Sequence, residues 1–239
     1  MDPIIAIFSL AISYLLGSIS FARVIVRLWT GKDVTEFEVT VDGTDEKYKA
    51  IAIGGNTVST VLGSKGGMTV GVLDILKVFL PTLAFKLIYP EQPAYMLIAA
   101  VGGLLGHNWP IYHRFHGGAG FSAIMGGLLV IDWLAVIISP IAGLILGMVI
   151  FRNMIVASLS WLWLLIPWFW WRTGGDLMHI IFAVSVNIIF LIAMIPEYQM
   201  AMKYKKEGRQ REFGLGALKA NPMGRGMLKM AKYFKVEIK

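Results

Sequence analysis

A series of apolar runs, each bounded by short polar turns, decides what this sequence can fold into. The runs cover 3–28, 67–89, 94–112, 119–131, 134–151, 154–171 and 177–196. A bilayer core requires about 20 mostly apolar residues per helix, and helices satisfy the backbone hydrogen bonds that lipid leaves unmet. We therefore predict an all-α integral membrane protein with about seven transmembrane helices. Six is the alternative, if Asp132 and Pro140 mark one long kinked helix with a re-entrant piece.

The composition excludes several classes of protein. Of the 239 residues 56% are hydrophobic and only 15% are charged, whereas soluble domains carry roughly 25% charged residues. The chain has no cysteine, which excludes disulfides, thiolate metal sites and cysteine nucleophiles. No histidine pairs with carboxylates at metal-binding spacing. We therefore predict no metal and no cofactor.

Two polar segments interrupt the apolar runs. The first, a loop over 29–66, contains an acidic insert at about 34–52. There the alternation of Phe37, Val39 and Val41 before Asp42-Gly43 predicts a small hairpin.

The second polar segment is a basic tail, 197–239, with eleven Lys or Arg against four Glu. It favours either attraction to anionic headgroups, with an amphipathic helix from Leu228 onward on the membrane surface, or a solvated cytoplasmic tail. Its basic residues are not interleaved with stacking aromatics, so no nucleic-acid partner is predicted. We assign 1–196 to a membrane domain and 197–239 to the tail.

The distribution of Lys and Arg predicts the orientation. With seven spans, the long loop, the 113–118 turn and the basic tail share one side, which holds most of the cations, whereas Lys86 and Arg172 lie on the other. The positive-inside rule then places the N-terminus outside and the tail in the cytoplasm. Five tryptophans near the end of the sixth run predict an interfacial belt: Trp161, Trp163, Trp168, Trp170 and Trp171.

Four patches of small and ionisable residues fall on the predicted cytoplasmic side: 14–27, 54–67, 72–77 and 106–123. Glycine-rich turns that lead into helix N-termini point free N–H groups at an anion, as phosphate sites require. Helix packing or a tight loop is the alternative explanation for such glycines. Two turns of this kind, on one membrane face and near basic residues, favour a phosphate site.

Three ionisable residues stand at the ends of apolar runs. Asp74 and Lys77 are three apart, so they share a helix face and can pair. Intramembrane charges usually face a functional interior, although a structural ion pair that fixes helix packing is equally consistent. His107 ends a predicted span and is interpreted as a general base or hydrogen-bond anchor, against a satisfied interfacial histidine.

Taken in order, the four patches resemble the bacterial acyl-phosphate:glycerol-3-phosphate acyltransferases of the PlsY type. The segment 16–22 with Arg27 is similar to the family's Leu-Gly-Ser-Ile-Pro-Phe-Gly and later Arg, and 54–63 to Gly-Ala-Thr-Asn-Val-x-Arg-x-x-Gly. The segment 73–77 is similar to Leu-Asp-x-x-Lys. The last patch resembles Gly-His-x-Phe-Pro and Phe-x-Gly-Gly-Lys-Gly at 106–110 and 115–120.

The resemblance implies transfer of a fatty acyl group from acyl phosphate to the sn-1 hydroxyl of glycerol 3-phosphate, which yields lysophosphatidate for phospholipid biosynthesis. It implies no metal and no acyl-enzyme, with positioning and charge compensation as the means of catalysis. The implied partners are these two substrates and membrane lipids. The implied site combines catalytic, substrate-binding and site-bracing residues. The catalytic residues are His107, Asn56 and Thr57, the substrate-binding residues are Lys65, Gly54, Gly55, Gly117, Gly118, Gly120 and Ser122, and the bracing residues are Asp74 and Lys77.

The chain departs from the family pattern at cationic positions. Thr60 stands at the motif Arg and Ala119 at the Lys of Gly-Gly-Lys-Gly, and Gly-Ser-Gly-Asn has no clear counterpart. An anionic substrate pair favours cations at such places. The alternative interpretation is therefore a catalytically altered or inactive paralogue that binds lipid or a partner protein. A small-solute transporter is disfavoured, since the sequence has no repeated halves.

Overall fold

The computed structural model describes residues 1–40, 47–49, 51–220 and 222–236. Helices account for most of this part of the chain, which confirms the predicted all-α fold. In order they are α1 (Pro3–Gly17), α2 (Phe21–Thr30), α3 (Gly55–Ile88), α4 (Pro93–Asn108), α5 (Phe121–Ile131), α6 (Trp133–Ile145), α7 (Met154–Trp163), α8 (Leu165–Arg172), α9 (Leu177–Ala193), α10 (Ile195–Lys206), α11 (Gln210–Ala220) and α12 (Pro222–Tyr233). A π-helical turn, Leu146–Ile150, extends α6.

Two short strands lie between α2 and α3, where the hairpin is predicted. β1 (Glu38–Thr40) and β2 (Lys47–Lys49) pair antiparallel, with Glu38 opposite Lys49. Val41 and the Asp42-Gly43 turn lie outside the described residues.

The predicted count of seven spans is not confirmed. Within the described part of the chain, four helical segments are long and apolar enough to cross a bilayer: Pro3–Thr30, Gly55–Ile88, Trp133–Ile150 and Met154–Arg172. The bent pair α9 and α10, with 47° between its two helices, is a fifth if it forms one span. The helices α4 and α5 have 16 and 11 residues. Both are shorter than the about 20 residues that span the hydrocarbon core.

Polar side chains begin several helices and explain where the apolar runs divide. Asp2, Asp132, Asn153 and Asp176 each accept a hydrogen bond from a first-turn N–H of α1, α6, α7 or α9. These caps satisfy groups that lipid would leave unpaired. The Asp132 cap makes α5 and α6 two separate helices, so residues 119–151 do not form one kinked helix.

The helix α3 is a hairpin of two helical segments. Its backbone turns at Gly63, where φ is 73° and ψ is −179°, a conformation that is essentially restricted to glycine. The first segment, 55–62, folds back on the second, so that Gly55 and Gly67 lie in close contact. The sequence-based boundary at residue 67 is therefore wrong, because the glycines expected to precede the helix are part of it.

The helix α4 occupies the centre of the bundle. It packs closely on α1 through glycines, since a Cβ at Gly102, Gly103 or Gly106 would collide with α1 backbone or with Val78 of α3. Small residues of this kind allow helices to approach closely in membranes. The large apolar core then forms around α4, with Leu104, Leu128 and Phe190 almost fully buried.

Two expectations for the C-terminal half are corrected. Trp161 is not in an interfacial belt; it is buried and stacks on Phe121, with ring centroids 5.9 Å apart. The amphipathic helix α12 does not turn its apolar face to the membrane surface. Instead Ala231 and Met227 pack with Met148 and Ala157, at the turn between α6 and α7.

Candidate active site

A buried ion pair stands on the second segment of α3. The Lys77 Nζ lies 2.8 Å from the Asp74 Oδ1, with 4% and 3% of the two side chains exposed. This confirms the predicted pairing of the two residues. The Lys77 ammonium also donates to the Ile19 carbonyl oxygen at 2.8 Å, which ties α3 to the turn between α1 and α2. Paired and hydrogen-bonded charges of this kind are the form in which ionisable groups persist inside membranes.

His107 joins this pair from α4. Its Nδ1 lies 3.7 Å from the Asp74 Oδ1, a distance too long for a hydrogen bond, and the residue is 6% exposed. The Nδ1 is buried and has no hydrogen-bond partner. The opposite edge of the ring, at Nε2, faces Gly118, where a Cβ would collide with it. The imidazole is thus held between an acid–base pair and the glycine-rich loop.

The glycine-rich loop connects two helix N-termini. The Gly118 N–H donates to the His107 carbonyl at 3.1 Å, and the Ile53 N–H donates to the Gly117 carbonyl at 2.9 Å. Gly54 is the N-cap of α3 and Gly120 is the N-cap of α5, and neither helix has a side-chain cap. Two N-termini with free first-turn N–H groups therefore lie beside the same loop, an arrangement that suits an anion.

A narrow cleft opens at this place. Three of the predicted site residues, Asp74, Lys77 and His107, line this cleft. The other lining residues were not predicted to belong to the site. The lining residues are Gly17, Ser18, Ile19, Ser20, Ala22, Ile53, Asp74, Lys77, His107 and Pro110. The first patch, 14–27, thus contributes the hydroxyls of Ser18 and Ser20. A pair of serines beside a glycine in an apolar run could have identified these residues from the sequence.

Nine of the twelve predicted site residues are absent from the cleft lining: the glycines Gly54, Gly55, Gly117, Gly118 and Gly120, and the polar residues Asn56, Thr57, Lys65 and Ser122. Asn56 and Lys65 are exposed on the α3 hairpin. The Thr57 hydroxyl donates to the Ala52 carbonyl at 2.5 Å, which leaves its oxygen free to accept. Ser122, in the first turn of α5, faces Gly71 of α3.

Arg23 is a cation of the site region that the sequence argument missed. Its Nη1 bonds the Asp33 Oδ1 at 2.8 Å and its Nη2 donates to the His116 carbonyl at 3.4 Å. Burial raises the pKa of Asp33, but hydrogen bonds from Thr35 and the Arg23 charge outweigh it and hold that pKa below its ordinary value. Burial and the Arg23 charge likewise lower the pKa of His113. The presence of an arginine inside the apolar run 3–28 could have identified Arg23 from the sequence.

Among the described residues, no three His, Asp or Glu side chains are grouped as metal ligands. The cleft is instead lined by the Lys77 ammonium, the His107 imidazole and the side chains of Ser18 and Ser20, and the Ser18 hydroxyl donates to the Tyr14 carbonyl. Such groups bind oxyanions and orient hydroxyls. Together with the apolar helices, they define an integral, multi-pass membrane protein with a buried cluster of ionisable side chains beside two uncapped helix N-termini.

Comparison with known proteins identifies the family. The model of the glycerol-3-phosphate acyltransferase family matches residues 7–204, and this chain belongs to that family. Glycerol-3-phosphate acyltransferase 1 of Lactobacillus johnsonii is 29% identical over 181 residues, 76% of this chain and 82% of the relative. The glycerol-3-phosphate acyltransferase of Desulfotalea psychrophila is 33% identical over 184 residues, 76% of this chain and 86% of the relative.

The fold agrees with that of a solved family member. The crystal structure of PlsY, an integral membrane glycerol 3-phosphate acyltransferase, in its glycerol 3-phosphate form aligns with a TM-score of 0.63 at 24% sequence identity. The alignment covers 85% of this chain and 93% of that one. The residues that follow the match to the family model, from 205 onward, include α11 and α12.

Proposed function

We propose that this chain transfers a fatty acyl group from acyl phosphate to the sn-1 hydroxyl of glycerol 3-phosphate. The hydroxyl oxygen attacks the acyl carbonyl carbon, the bond from that carbon to the phosphate oxygen breaks, and inorganic phosphate leaves. The products are lysophosphatidate and phosphate. The observation that carries the proposal is the junction of two uncapped helix N-termini through the Ile53–Gly117 hydrogen bond, directly beside His107.

His107 orients the acceptor hydroxyl or accepts its proton. Its buried Nδ1 has no hydrogen-bond partner in the protein, so a substrate hydroxyl can occupy that position. Proton transfer by a positioned side chain contributes typically 10²–10⁴-fold to rate. Asp74 and Lys77, joined by the ion pair of 2.8 Å, brace the ring on this same side, where the Asp74 Oδ1 lies 3.7 Å from the Nδ1.

The glycine-rich turns hold phosphate. The backbone at Gly54 and Gly55 begins α3, and that at Gly117, Gly118 and Gly120 leads into α5. Their N–H groups and the two helix dipoles favour the negative oxygens of either substrate. Three polar side chains of the same first turns, Asn56, Thr57 and Ser122, act at the edge of this cradle.

Cations outside the usual motif positions compensate the substrate charge. Thr60 and Ala119 supply none at the motif positions themselves. Lys65, Arg114 and Lys32 are exposed and are the candidates for this role. Of these, Lys65 is assigned to substrate binding because it lies on the α3 hairpin that presents the first glycine-rich turn.

The protein resides in the cytoplasmic membrane with its N-terminus outside and the basic tail in the cytoplasm. The excess of Lys and Arg on the side of the site supports this orientation.

The absence of native cysteine permits single-cysteine labelling with an impermeant maleimide in right-side-out vesicles. Labelling of Thr173→Cys without labelling of Lys229→Cys is expected; the reverse pattern would contradict the orientation.

Turnover in lipid tests the function. Purified protein receives palmitoyl phosphate and glycerol 3-phosphate, and lysophosphatidate is measured by mass spectrometry against membranes without the protein. His107→Gln is expected to lower kcat by about 10²–10⁴-fold, whereas His179→Gln, in the first turn of α9, keeps the rate. Equal rates in the two variants would show that His107 does not take part in the reaction.

The missing motif cations at Thr60 and Ala119 favour one competing function, a paralogue that binds lipid or a partner without catalysis. It predicts folded protein with no product for any acyl phosphate or polyol phosphate tested. Restoring the motif by Thr60→Arg with Ala119→Lys distinguishes the two. A gain of product from an inactive wild-type chain would establish the non-catalytic paralogue.

A further inference from the structure

Asn108 carries a buried amide whose hydrogen-bonding groups are all unmet. It is the last residue of α4 and is 3% exposed. Neither its Oδ1 nor its Nδ2 has a hydrogen-bond partner. Buried side-chain polar groups almost always have a partner, so an orphaned pair of this kind calls for an explanation. By contrast, the other fully buried asparagine, Asn187, donates to the Leu162 and Ala183 carbonyls at 2.9 Å.

The orphaned amide lies beside the N-terminus of α5. A Cβ built on Gly120, the N-cap of this helix, would stand 2.7 Å from the Asn108 Oδ1 and 3.3 Å from its Nδ2. Gly120 has a φ of 98° and provides no side-chain cap. The first-turn N–H groups of a helix have no partner within the helix. The unpaired first-turn N–H groups of α5 and the unpaired Asn108 Nδ2 therefore lie close together.

We propose that the Asn108 amide binds a phosphoryl oxygen at the N-terminus of α5. This inference rests on the proposed function and adds a ligand-binding residue to it. The Nδ2 donates to a phosphoryl oxygen, and the Oδ1 accepts from a protonated phosphate oxygen or from a polyol hydroxyl.

The chemistry of a neutral amide fits this place. Ala119, one residue before the N-cap of α5, stands where the family motif has Lys. The Asn108 Nδ2 replaces part of the phosphate contact that this Lys would make. The unmet amide becomes satisfied when phosphate binds.

Thermal unfolding in detergent tests the contact directly. Asn108→Leu is compared with wild type and with Asn187→Leu, in inorganic phosphate and in chloride of equal ionic strength. Phosphate is expected to raise the Tm of the wild type, since a ligand of the folded state stabilises it. Asn108→Leu is expected to unfold at the same or a higher temperature in chloride and to lose the phosphate shift. Asn187→Leu is expected to unfold earlier and to keep that shift.

Two results would overturn the inference. One is a full phosphate shift in Asn108→Leu, which would make the amide an ordinary orphan of the core. The other is a wild-type protein without any phosphate shift. Asn108→Asp provides a second, nearly isosteric variant, in which the added negative charge is expected to abolish the shift.

Kinetics identify the phosphate concerned and separate this inference from the proposed function. A KM raised tenfold or more for glycerol 3-phosphate alone assigns the contact to the acceptor, and one raised for acyl phosphate alone assigns it to the donor. Unchanged KM values in both would overturn the contact in an active enzyme. A phosphate shift that depends on Asn108 in a protein without turnover would uphold the contact and refute the acyltransferase function.

Discussion

At the scale of single residues, the geometry of the Asp74–Lys77 pair explains why both charges are tolerated in an apolar helix. Each is almost fully buried and paired with the other; Lys77 also donates to the Ile19 carbonyl, and the His107 Nδ1 lies 3.7 Å from the Asp74 Oδ1. A buried pair is not by itself a source of stability, but removing one partner leaves an uncompensated charge. The pair therefore fixes the position of α3 against α1 and α4.

We expect Lys77→Met to destabilise the protein by about 3–5 kcal/mol, because Asp74 is left unpaired. The double variant Asp74→Asn with Lys77→Met removes both charges and should recover part of that loss. Unfolding by denaturing detergent measures both. Recovery of stability together with turnover would establish a bracing role for the pair; recovered stability without turnover would show that Asp74 or Lys77 contributes to the reaction.

At the scale of elements, the α3 hairpin is the device that brings the first glycine-rich turn to the site. Its short arm, 55–62, returns along the long arm because the backbone reverses at Gly63. Without that reversal, Gly54 would be remote from the loop at Gly117. Gly63 thus contributes to the site through its backbone conformation.

Gly63→Ala should destabilise the protein by about 1–3 kcal/mol, since a side chain is strained at this backbone conformation. The KM for the phosphate substrates should rise with it, because the N-terminus of α3 shifts. Gly226→Ala is the matched control: Gly226 lies within α12 with open space around it, and alanine favours a helix. Similar stability and KM in both variants would mean that the reversal does not depend on glycine.

At the scale of the whole molecule, the basic tail is part of the folded structure rather than a free extension. Its last helix, α12, covers the turn between α6 and α7 with the buried Ala231, and Val236, three residues beyond the helix, is buried in the same cluster. The cations of α12 remain exposed on the other side: Arg225, Lys229 and Lys232. The apolar face is therefore used inside the protein, and only the basic face is free to meet anionic headgroups.

Ala231→Glu should detach α12, because an unpaired carboxylate in this contact is costly. Limited chymotrypsin digestion near Tyr233 is expected to accelerate about tenfold or more, since cleavage follows the population of the open form. Lys232→Glu adds a carboxylate at the neighbouring exposed position and should leave the rate unchanged. Equal acceleration in both would indicate that charge, and not packing, holds the helix.

Much of the membrane architecture follows from the sequence alone, because a bilayer imposes length and polarity on each segment independently of its neighbours. The ordered glycine and ionisable motifs likewise identify the family before any contact is known. The pairing of Asp74 with Lys77 was predictable for the same reason: it depends on local helical spacing. The number of spans was not predictable from the sequence, because the short helices α4 and α5 are stabilised by packing against their neighbours rather than by length.

Only the tertiary structure decided which groups meet. His107 approaches Asp74 across 33 positions of sequence, Trp161 turns inward to stack on Phe121, and Asn108 lies beside the N-cap Gly120. Each contact depends on which helix faces are turned towards each other, and side-chain periodicity does not specify the partner of a face. The sequence by itself determined a membrane acyltransferase fold, and the packing of α3, α4 and α5 determined its site.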